Sequence, residues 1–141
     1  MKIFIIASTQ FYPRVAGVIK VLQDMGHEVT PPIGYGDPVG DPGVEAELAE
    51  HSTEEEYAAW KASLMRQGLG AVEVSDAVLA LNFDKADKEN HIGGSVFAEM
   101  ITAFYLRKKI FLYNSIPSNM LRDEIRGLSP IILDGDLSLV R

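Results

Sequence analysis

Short apolar runs along the chain are separated by segments whose apolar residues recur every three or four positions. The five runs that predict strands are Ile3–Ala7, His27–Thr30, Ala77–Leu81, Ile110–Tyr113 and Ile131–Leu133. Most of them are continuously apolar rather than alternating, and this is typical of strands that are covered on both faces of a parallel sheet. The pattern therefore predicts a sheet buried between two layers.

Two long segments between these runs have helical periodicity. After the first strand the apolar positions are Val15, Val18, Ile19, Leu22 and Met25, a spacing that places them on one face of a helix. Pro13 suits the first turn of that helix, and Gly26 suits its end. Before the third strand, the apolar positions of a longer predicted helix are Tyr57, Trp60, Leu64 and Ala71. Gly68 lies on the same stripe, and we expect Gly68 and Gly70 to kink this helix or to divide it in two.

Local signals mark the remaining elements. A capping box, Ser52 with Glu55 or Thr53 with Glu56, precedes the long helix, and Val44–Glu50 predicts a short acidic helical piece. Pro31–Gly43 contains four prolines and four glycines and is predicted to be a loop. Further helices are expected from Gly94 or Ser95 onwards and over Ile116–Arg126, and a capping turn over Gly135–Val140.

The order of these elements predicts an α/β fold. Strands that alternate with helices favour a parallel sheet with helices on both faces. We expect a three-layer, Rossmann-like sandwich whose five parallel strands lie in the flavodoxin-like order 2-1-3-4-5. At 141 residues the chain is predicted to form one domain, 1–141.

Composition narrows the classes of function. A net charge of −7 argues against a nucleic-acid-binding surface. Zero cysteines exclude thiolate chemistry, and the three scattered histidines predict no metal site. No apolar run is long enough to span a membrane, so a cytoplasmic protein is expected. Because neither a Walker A pattern nor a G-x-G-x-x-G pattern occurs, we expect no P-loop or dinucleotide cofactor.

Glu99 is the sharpest candidate for chemistry. It lies in the first or second turn of the helix that begins at Gly94 or Ser95, and its neighbours on the helix are small or apolar. A carboxylate held there can attack an anomeric carbon or stabilise an oxocarbenium ion, although it can also serve helix stability alone. Gly93, Gly94 and Ser95 just before it predict a backbone that approaches a ligand closely and binds an anion through free N–H groups.

Residues after the first and third strands are expected at the same edge of the sheet. Ser8 and Thr9 offer hydroxyls to a sugar or phosphate, and Phe11 or Tyr12 can stack on a base. Their alternative roles are helix capping and core packing. Asp84 is interpreted either as an acceptor for a base or sugar hydroxyl or as a solvated loop acid. We interpret Trp60 as a core residue, and Lys85 and His91 as part of a solvated loop.

These residues resemble a family, the nucleoside 2-deoxyribosyltransferases together with deoxynucleoside 5′-phosphate N-glycosidases. The resemblance covers most of the chain, and the segments that carry it are Met1–Thr9, Gly26–Val29, Ser75–Leu79, Gly93–Met100 and Lys108–Ile110. It implies a flavodoxin-like fold, a homo-oligomer, a nucleoside or nucleotide substrate and Glu99 as a nucleophile that forms a glycosyl-enzyme intermediate. It also implies that Ser8, Thr9, Phe11 and Tyr12 bind substrate, and that Ser118 or Asn119 completes the site of a neighbouring subunit.

The sequence departs from this family at two places. The family commonly has an aspartate on the long helix where this chain has Gly68, and its transferases tend to have a second acid where this chain has Gly93. A leaving base normally needs a proton donor. The sequence therefore leaves two functions open, an N-glycosidic bond-cleaving or transferring enzyme and a non-catalytic nucleotide-binding or sensing protein of the same fold.

Overall fold

A computed structural model describes residues 1–37 and 42–141, and within them the strands form one parallel sheet. The strands are β1 (Lys2–Ile6), β2 (Glu28–Thr30), β3 (Ala77–Ala80), β4 (Lys109–Leu112) and β5 (Ile131–Ile132). Their order across the sheet is β2-β1-β3-β4-β5, and every neighbouring pair is parallel. This confirms the predicted strand order, and each strand lies within a residue or two of its predicted bounds.

Helices cover both faces of the sheet. They are α1 (Val15–Asp24), α2 (Pro42–His51), α3 (Glu54–Glu73), α4 (Gly94–Tyr105) and α5 (Arg122–Gly127), with 3₁₀ helices at Thr9–Arg14 and Leu137–Leu139. Alternate residues of each strand point to opposite faces. Ile3 and Ile5 of β1 pack with α1 residues such as Leu22, whereas Phe4 and Ile6 pack with residues of α3 and α4 such as Val72 and Met100. The predicted three-layer sandwich is thereby confirmed.

Three local predictions change. The 3₁₀ helix Thr9–Arg14 contains Pro13, so α1 begins only at Val15. The last helix begins at Arg122 rather than near Pro117, because the Asn119 side chain accepts a hydrogen bond from the Leu121 N–H at 2.8 Å and holds a turn there. The predicted loop Pro31–Gly43 forms turns over residues 33–36, α2 begins at Pro42, and residues 38–41 lie outside the described part of the chain.

The long helix is correctly predicted at its start but not in its middle. Thr53 is its N-cap and accepts from the Glu56 N–H at 3.1 Å, which selects the second of the two predicted capping boxes. Helix α3 then runs without a break through Gly68 and Gly70 to Glu73, so the predicted division is wrong. Gly68 is buried against α4, where a glycine allows close approach.

None of the helices in the described ranges is both long enough and apolar enough to cross a membrane.

Candidate active site

A cavity of about 320 Å³ opens at the carboxyl edge of the sheet, beyond the end of β1. Four parts of the chain enclose it: the segment after β1, the segment after β2, the facing sides of α2 and α3, and the start of α4 with the loop before it. Polar and charged residues on its wall are Ser8, Thr9, Tyr12, Glu45, Lys61, Lys85, His91, Ser95 and Glu99, alongside apolar residues such as Ile33, Trp60, Leu64 and Met65. Open α/β sheets bind their ligands in this position.

The segment after β1 brings three of the predicted residues to the cavity. Ser8 and Thr9 leave the strand at its carboxyl end and are half-buried on the cavity wall. Tyr12 also lines the cavity, and its hydroxyl donates a hydrogen bond to the Ile33 carbonyl oxygen at 2.7 Å. Burial, and then the nearby Glu99 and Glu45 carboxylates, raise the pKa of Tyr12 to about 12. Tyr12 therefore stays protonated and ties the segment after β1 to the segment after β2.

Phe11 is not at the cavity, and the suggestion that it stacks on a base is wrong. Its side chain is buried in the layer that contains α1, and its ring packs edge-on against Phe83 with 5.3 Å between ring centroids. Of the two aromatic candidates after β1, Tyr12 alone reaches the cavity.

The start of α4 forms a second wall. Gly93 is the N-cap in an extended conformation and, without a side chain, offers no capping acceptor. The first backbone N–H groups of the helix, around Gly94 and Ser95, therefore have no side-chain cap, and both residues line the cavity. A Cβ placed on Gly93 would lie 3.5 Å from His91 Nε2. Gly93, Gly94 and Ser95 all line the cavity, and their binding of an anion stays a prediction.

Glu99 lies one turn further along α4, on the face of the helix that meets α3. Its Oε1 lies against Gly68, where an added Cβ would overlap it. Among the described residues, no side chain or backbone group makes a hydrogen bond or an ion pair with its carboxylate. Burial raises the pKa of Glu99 from 4.5 to about 7. A carboxyl group that loses hydration and gains no ionic or hydrogen-bond partner is less stable in its charged form. A carboxyl group with a shifted pKa at a cavity wall is characteristic of functional sites.

The α2–α3 wall holds three residues that the sequence did not single out as site residues. Glu45 is the only other carboxylate on the described cavity wall, and one of its oxygens lies 3.0 Å from Lys61 Nζ. Lys61 Nζ also lies 5.8 Å from the centre of the Trp60 ring. Trp60 is half-buried at the cavity and not in either buried core, so its interpretation as a core residue is wrong. In the sequence, the only signal for this face of α3 was the helical spacing of Trp60 and Leu64, which both line the cavity.

The loop before α4 also differs from its interpretation as a solvated loop. Lys85 and His91 line the cavity, and the backbone N–H of His91 donates to the Phe83 carbonyl oxygen at 2.8 Å. Burial, and then the nearby positive charges of Lys85 and Lys88, lower the pKa of His91. His91 is therefore neutral near pH 7, in a region of positive potential beside the start of α4.

Asp84 does not line the cavity. Its exposed carboxylate accepts a hydrogen bond from the Asn90 N–H at 3.0 Å and closes the loop that carries Lys85 and Lys88. The structure therefore places Asp84 as an exposed loop acid outside the cavity wall, and its contact with a base or sugar stays a prediction.

Ser118 and Asn119 also lie away from the cavity of their own chain. Both are exposed in the segment after β4, and Asn119 holds the turn that precedes α5. The resemblance placed them in the site of a neighbouring subunit, so this role stays a prediction. As for metals, no three histidine, aspartate or glutamate side chains in the described ranges converge on a common point.

Comparison with solved structures relates this fold to a known enzyme. The structure is similar to that of the 2-deoxyribosyltransferase from Bacillus psychrosaccharolyticus, with a TM-score of 0.53 and 18% sequence identity over 89% of this chain and 80% of that chain. The CMP N-glycosidase of Clostridium botulinum matches with a TM-score of 0.49 and 18% identity over 94% of this chain and 85% of that chain. No family model matches the sequence, and no curated protein matches it either. At 18% identity, the likeness to the 2-deoxyribosyltransferase establishes a shared fold.

Proposed function

We propose that this protein is an enzyme that cleaves or transfers the N-glycosidic bond of a (deoxy)nucleoside or its 5′-monophosphate, with Glu99 as the nucleophile. The observation that carries the proposal is Glu99 itself. Its carboxylate is half-buried at the wall of a cavity, makes no hydrogen bond or ion pair with a described residue, and has its pKa raised to about 7. The motif resemblance around Glu99, and the fold shared with a 2-deoxyribosyltransferase, support the same chemistry.

The proposed reaction follows the retaining pathway of glycosidases. The ionised Glu99 carboxylate attacks the anomeric carbon while the bond from that carbon to the base nitrogen breaks. Water, or a second base, then displaces Glu99 from the glycosyl-enzyme intermediate. A carboxylate with no other bonding partner is free to form this bond.

The start of α4 is the proposed binding site for the polar end of the substrate. The N–H groups around Gly94 and Ser95 favour an anion, Lys85 adds a positive charge, and Ser8 and Thr9 add hydroxyls. Because Gly93 leaves space beside His91, we favour a nucleoside 5′-monophosphate and hydrolysis over a free nucleoside and transfer. The proposal includes a cytoplasmic homo-oligomer in which Ser118 or Asn119 of one subunit reaches the site of another.

A second candidate function is a non-catalytic nucleotide-binding or sensing protein. Two observations favour it. Gly68 and Gly93 stand where the family commonly has acids, and Glu45, the other carboxylate on the described cavity wall, is paired with Lys61. An arrangement without a second unpaired carboxyl group beside Glu99 is less suited to protonating a leaving base.

A panel of deoxynucleosides and their 5′-monophosphates separates the two candidates. We expect wild-type protein to release free base from at least one member, as measured by chromatography, and Glu99→Ala to release none. Glu73→Ala, which removes an exposed carboxylate at the far end of α3, serves as the matched control and is expected to keep full activity. Binding without release, unaffected by Glu99→Ala, would instead identify a sensor.

The rate of base release is expected to depend on pH through Glu99. Because the nucleophile must be ionised and its pKa is about 7, kcat/KM should rise as the pH increases towards 7. Below that pH it should fall about tenfold per pH unit. The measurement is a profile of kcat/KM between pH 5 and 9 for the best substrate of the panel. A profile that is flat from pH 5.5 upwards would show that Glu99 is ionised throughout and that its burial is relieved in solution.

A further inference from the structure

The proposed reaction leaves one requirement unmet by Glu99, namely stabilisation of the departing base. When the glycosidic bond breaks, the base nitrogen keeps the electron pair, and a proton or a positive charge must reach the base. Glu99 cannot serve as both nucleophile and acid in the same step. The other ionisable residues on the described cavity wall are Tyr12, Glu45, Lys61, Lys85 and His91.

Three of these five are poorly placed or poorly suited. The Tyr12 hydroxyl proton is already donated to the Ile33 carbonyl oxygen at 2.7 Å, which directs it towards the backbone of the segment after β2. Lys85 and His91 belong to the loop that enters α4, on the side assigned above to the polar end of the substrate. His91 also has a lowered pKa, so it is neutral where the reaction is expected to run. Glu45 and Lys61 remain.

Lys61 lies on the same face of α3 as Gly68, the residue against which Glu99 rests. The two positions are seven residues apart, or about two helical turns, so Lys61 lies about 10 Å from Gly68 along the axis of α3. A sugar whose anomeric carbon is at Glu99 can therefore direct its base along α3 towards Lys61 and Trp60. Trp60 adds an aromatic surface beside the same part of the cavity.

Glu45 holds the Lys61 side chain at the cavity. The two side chains are about one-third exposed, and Lys61 Nζ lies 3.0 Å from Glu45 Oε1. A lysine has three donor hydrogens, so the ammonium group can keep this contact and still donate to a base. The pairing reduces the number of conformations that the long Lys61 side chain must give up when substrate binds.

We propose that Lys61 is a catalytic residue that protonates the departing base, and that Glu45 is its positioning residue. In this step the bond from the anomeric carbon to the base breaks, a bond from that carbon to a Glu99 oxygen forms, and one proton moves from Lys61 Nζ to the base. In the second step water adds its oxygen to the anomeric carbon, Glu99 is released as a carboxylate, and the remaining proton returns to Lys61. The inference rests on the proposed function. Lys61 would serve as the proton donor that glycine cannot be at positions 68 and 93.

The test compares leaving groups in Lys61→Met and wild-type protein. The substrates are the 5′-monophosphates of the base that the panel identifies and of its halogenated analogues, whose bases leave more easily without a proton. Lys61→Met should lower kcat/KM at least about 100-fold for the natural base, in the range typical of general acid catalysis, and much less for the halogenated bases. Glu45→Gln should also lower kcat/KM more for the natural base than for the halogenated bases, but by a smaller factor than Lys61→Met.

Control variants separate chemistry from folding. Lys20→Met removes an exposed lysine that also pairs with a carboxylate, Asp24, on α1 and outside the cavity, and should behave as wild type. Thermal unfolding of Lys61→Met should match that of wild type. If Lys61→Met lowers kcat/KM equally for all bases, or does not lower it, the role of Lys61 is overturned, while the role of Glu99 as nucleophile is not affected. A wild-type protein that releases no base from any substrate would overturn the proposed function, and the role of Lys61 with it.

Discussion

Glu99→Gln is expected to make the protein more stable at pH 8 while abolishing base release. The folded state raises the pKa of Glu99 from 4.5 to about 7, so between these values the folded state binds more protons than the unfolded state. The stabilisation associated with the protonated form is complete below about pH 4.5 and is lost as the pH rises through 7. Above pH 7 the buried charge then costs about 3 kcal/mol of unfolding free energy, a cost that neutral glutamine does not incur.

Urea unfolding of wild type and Glu99→Gln at pH 5 and pH 8 measures this effect. The variant should gain about 3 kcal/mol at pH 8 and less than about 1 kcal/mol at pH 5. Glu73→Gln, on the exposed end of α3, should show no such dependence on pH. A stability difference between wild type and Glu99→Gln that is the same at both pH values would show that the pKa of Glu99 is ordinary in solution.

The expected gain and the expected loss have the same origin. A carboxylate that has lost part of its hydration and has gained no hydrogen-bond or ionic partner destabilises the fold, yet the same lack of partners leaves its oxygens free to react. Stabilising changes at active sites commonly cost activity for this reason. If Glu99 had only a structural role at the start of α4, a hydrogen-bonded or solvated carboxylate would serve better.

The fold was largely predictable because the signals for its elements are local. Continuous apolar runs such as Ile3–Ala7 and Ala77–Leu81 indicate central strands whatever they pack against, and the alternation of strands and helices then restricts the topology. The location of Glu99 at this edge of the sheet was predictable for a similar reason. Its position near the start of a helix that follows a buried strand determines which edge of the sheet it occupies.

The α2–α3 wall of the cavity was not predictable in the same way. Glu45 of α2 and Lys61 of α3 come together only in the folded chain, 16 positions apart in sequence, and neither residue is marked by a motif. Trp60 looked like a core residue because its spacing is helical, but helical spacing does not tell whether an apolar stripe faces a sheet or a cavity. The positions of the Phe11 and Asp84 side chains are set by their contacts with Phe83 and Asn90, and the strand pattern does not specify these contacts.

Gly68→Ala is expected to remove most of the activity, whereas Gly70→Ala two residues later is expected to keep it. A Cβ at position 68 would overlap Glu99 Oε1 and lie 3.3 Å from its Cδ, but nothing lies within 4 Å of a Cβ at position 70. Because the atoms in the way belong to the end of a flexible side chain, Glu99 should rotate away from α3. It then becomes better hydrated, its pKa falls, and the acidic limb of the kcat/KM profile moves below pH 7.

A double-variant cycle shows whether Glu99 causes this effect. Alanine is favoured over glycine within a helix by about 0.8–1 kcal/mol, so Gly70→Ala should stabilise the protein by up to that amount. Gly68→Ala should raise the free energy of unfolding by less than this amount in the wild-type background. In a Glu99→Ala background, where no carboxylate occupies the space, it should raise the free energy of unfolding by the full amount. The coupling between positions 68 and 99 is the difference between the two effects of Gly68→Ala, measured by urea unfolding. Zero coupling, with an unchanged pH profile in Gly68→Ala, would mean that Glu99 does not rest against α3 and that its raised pKa needs another cause.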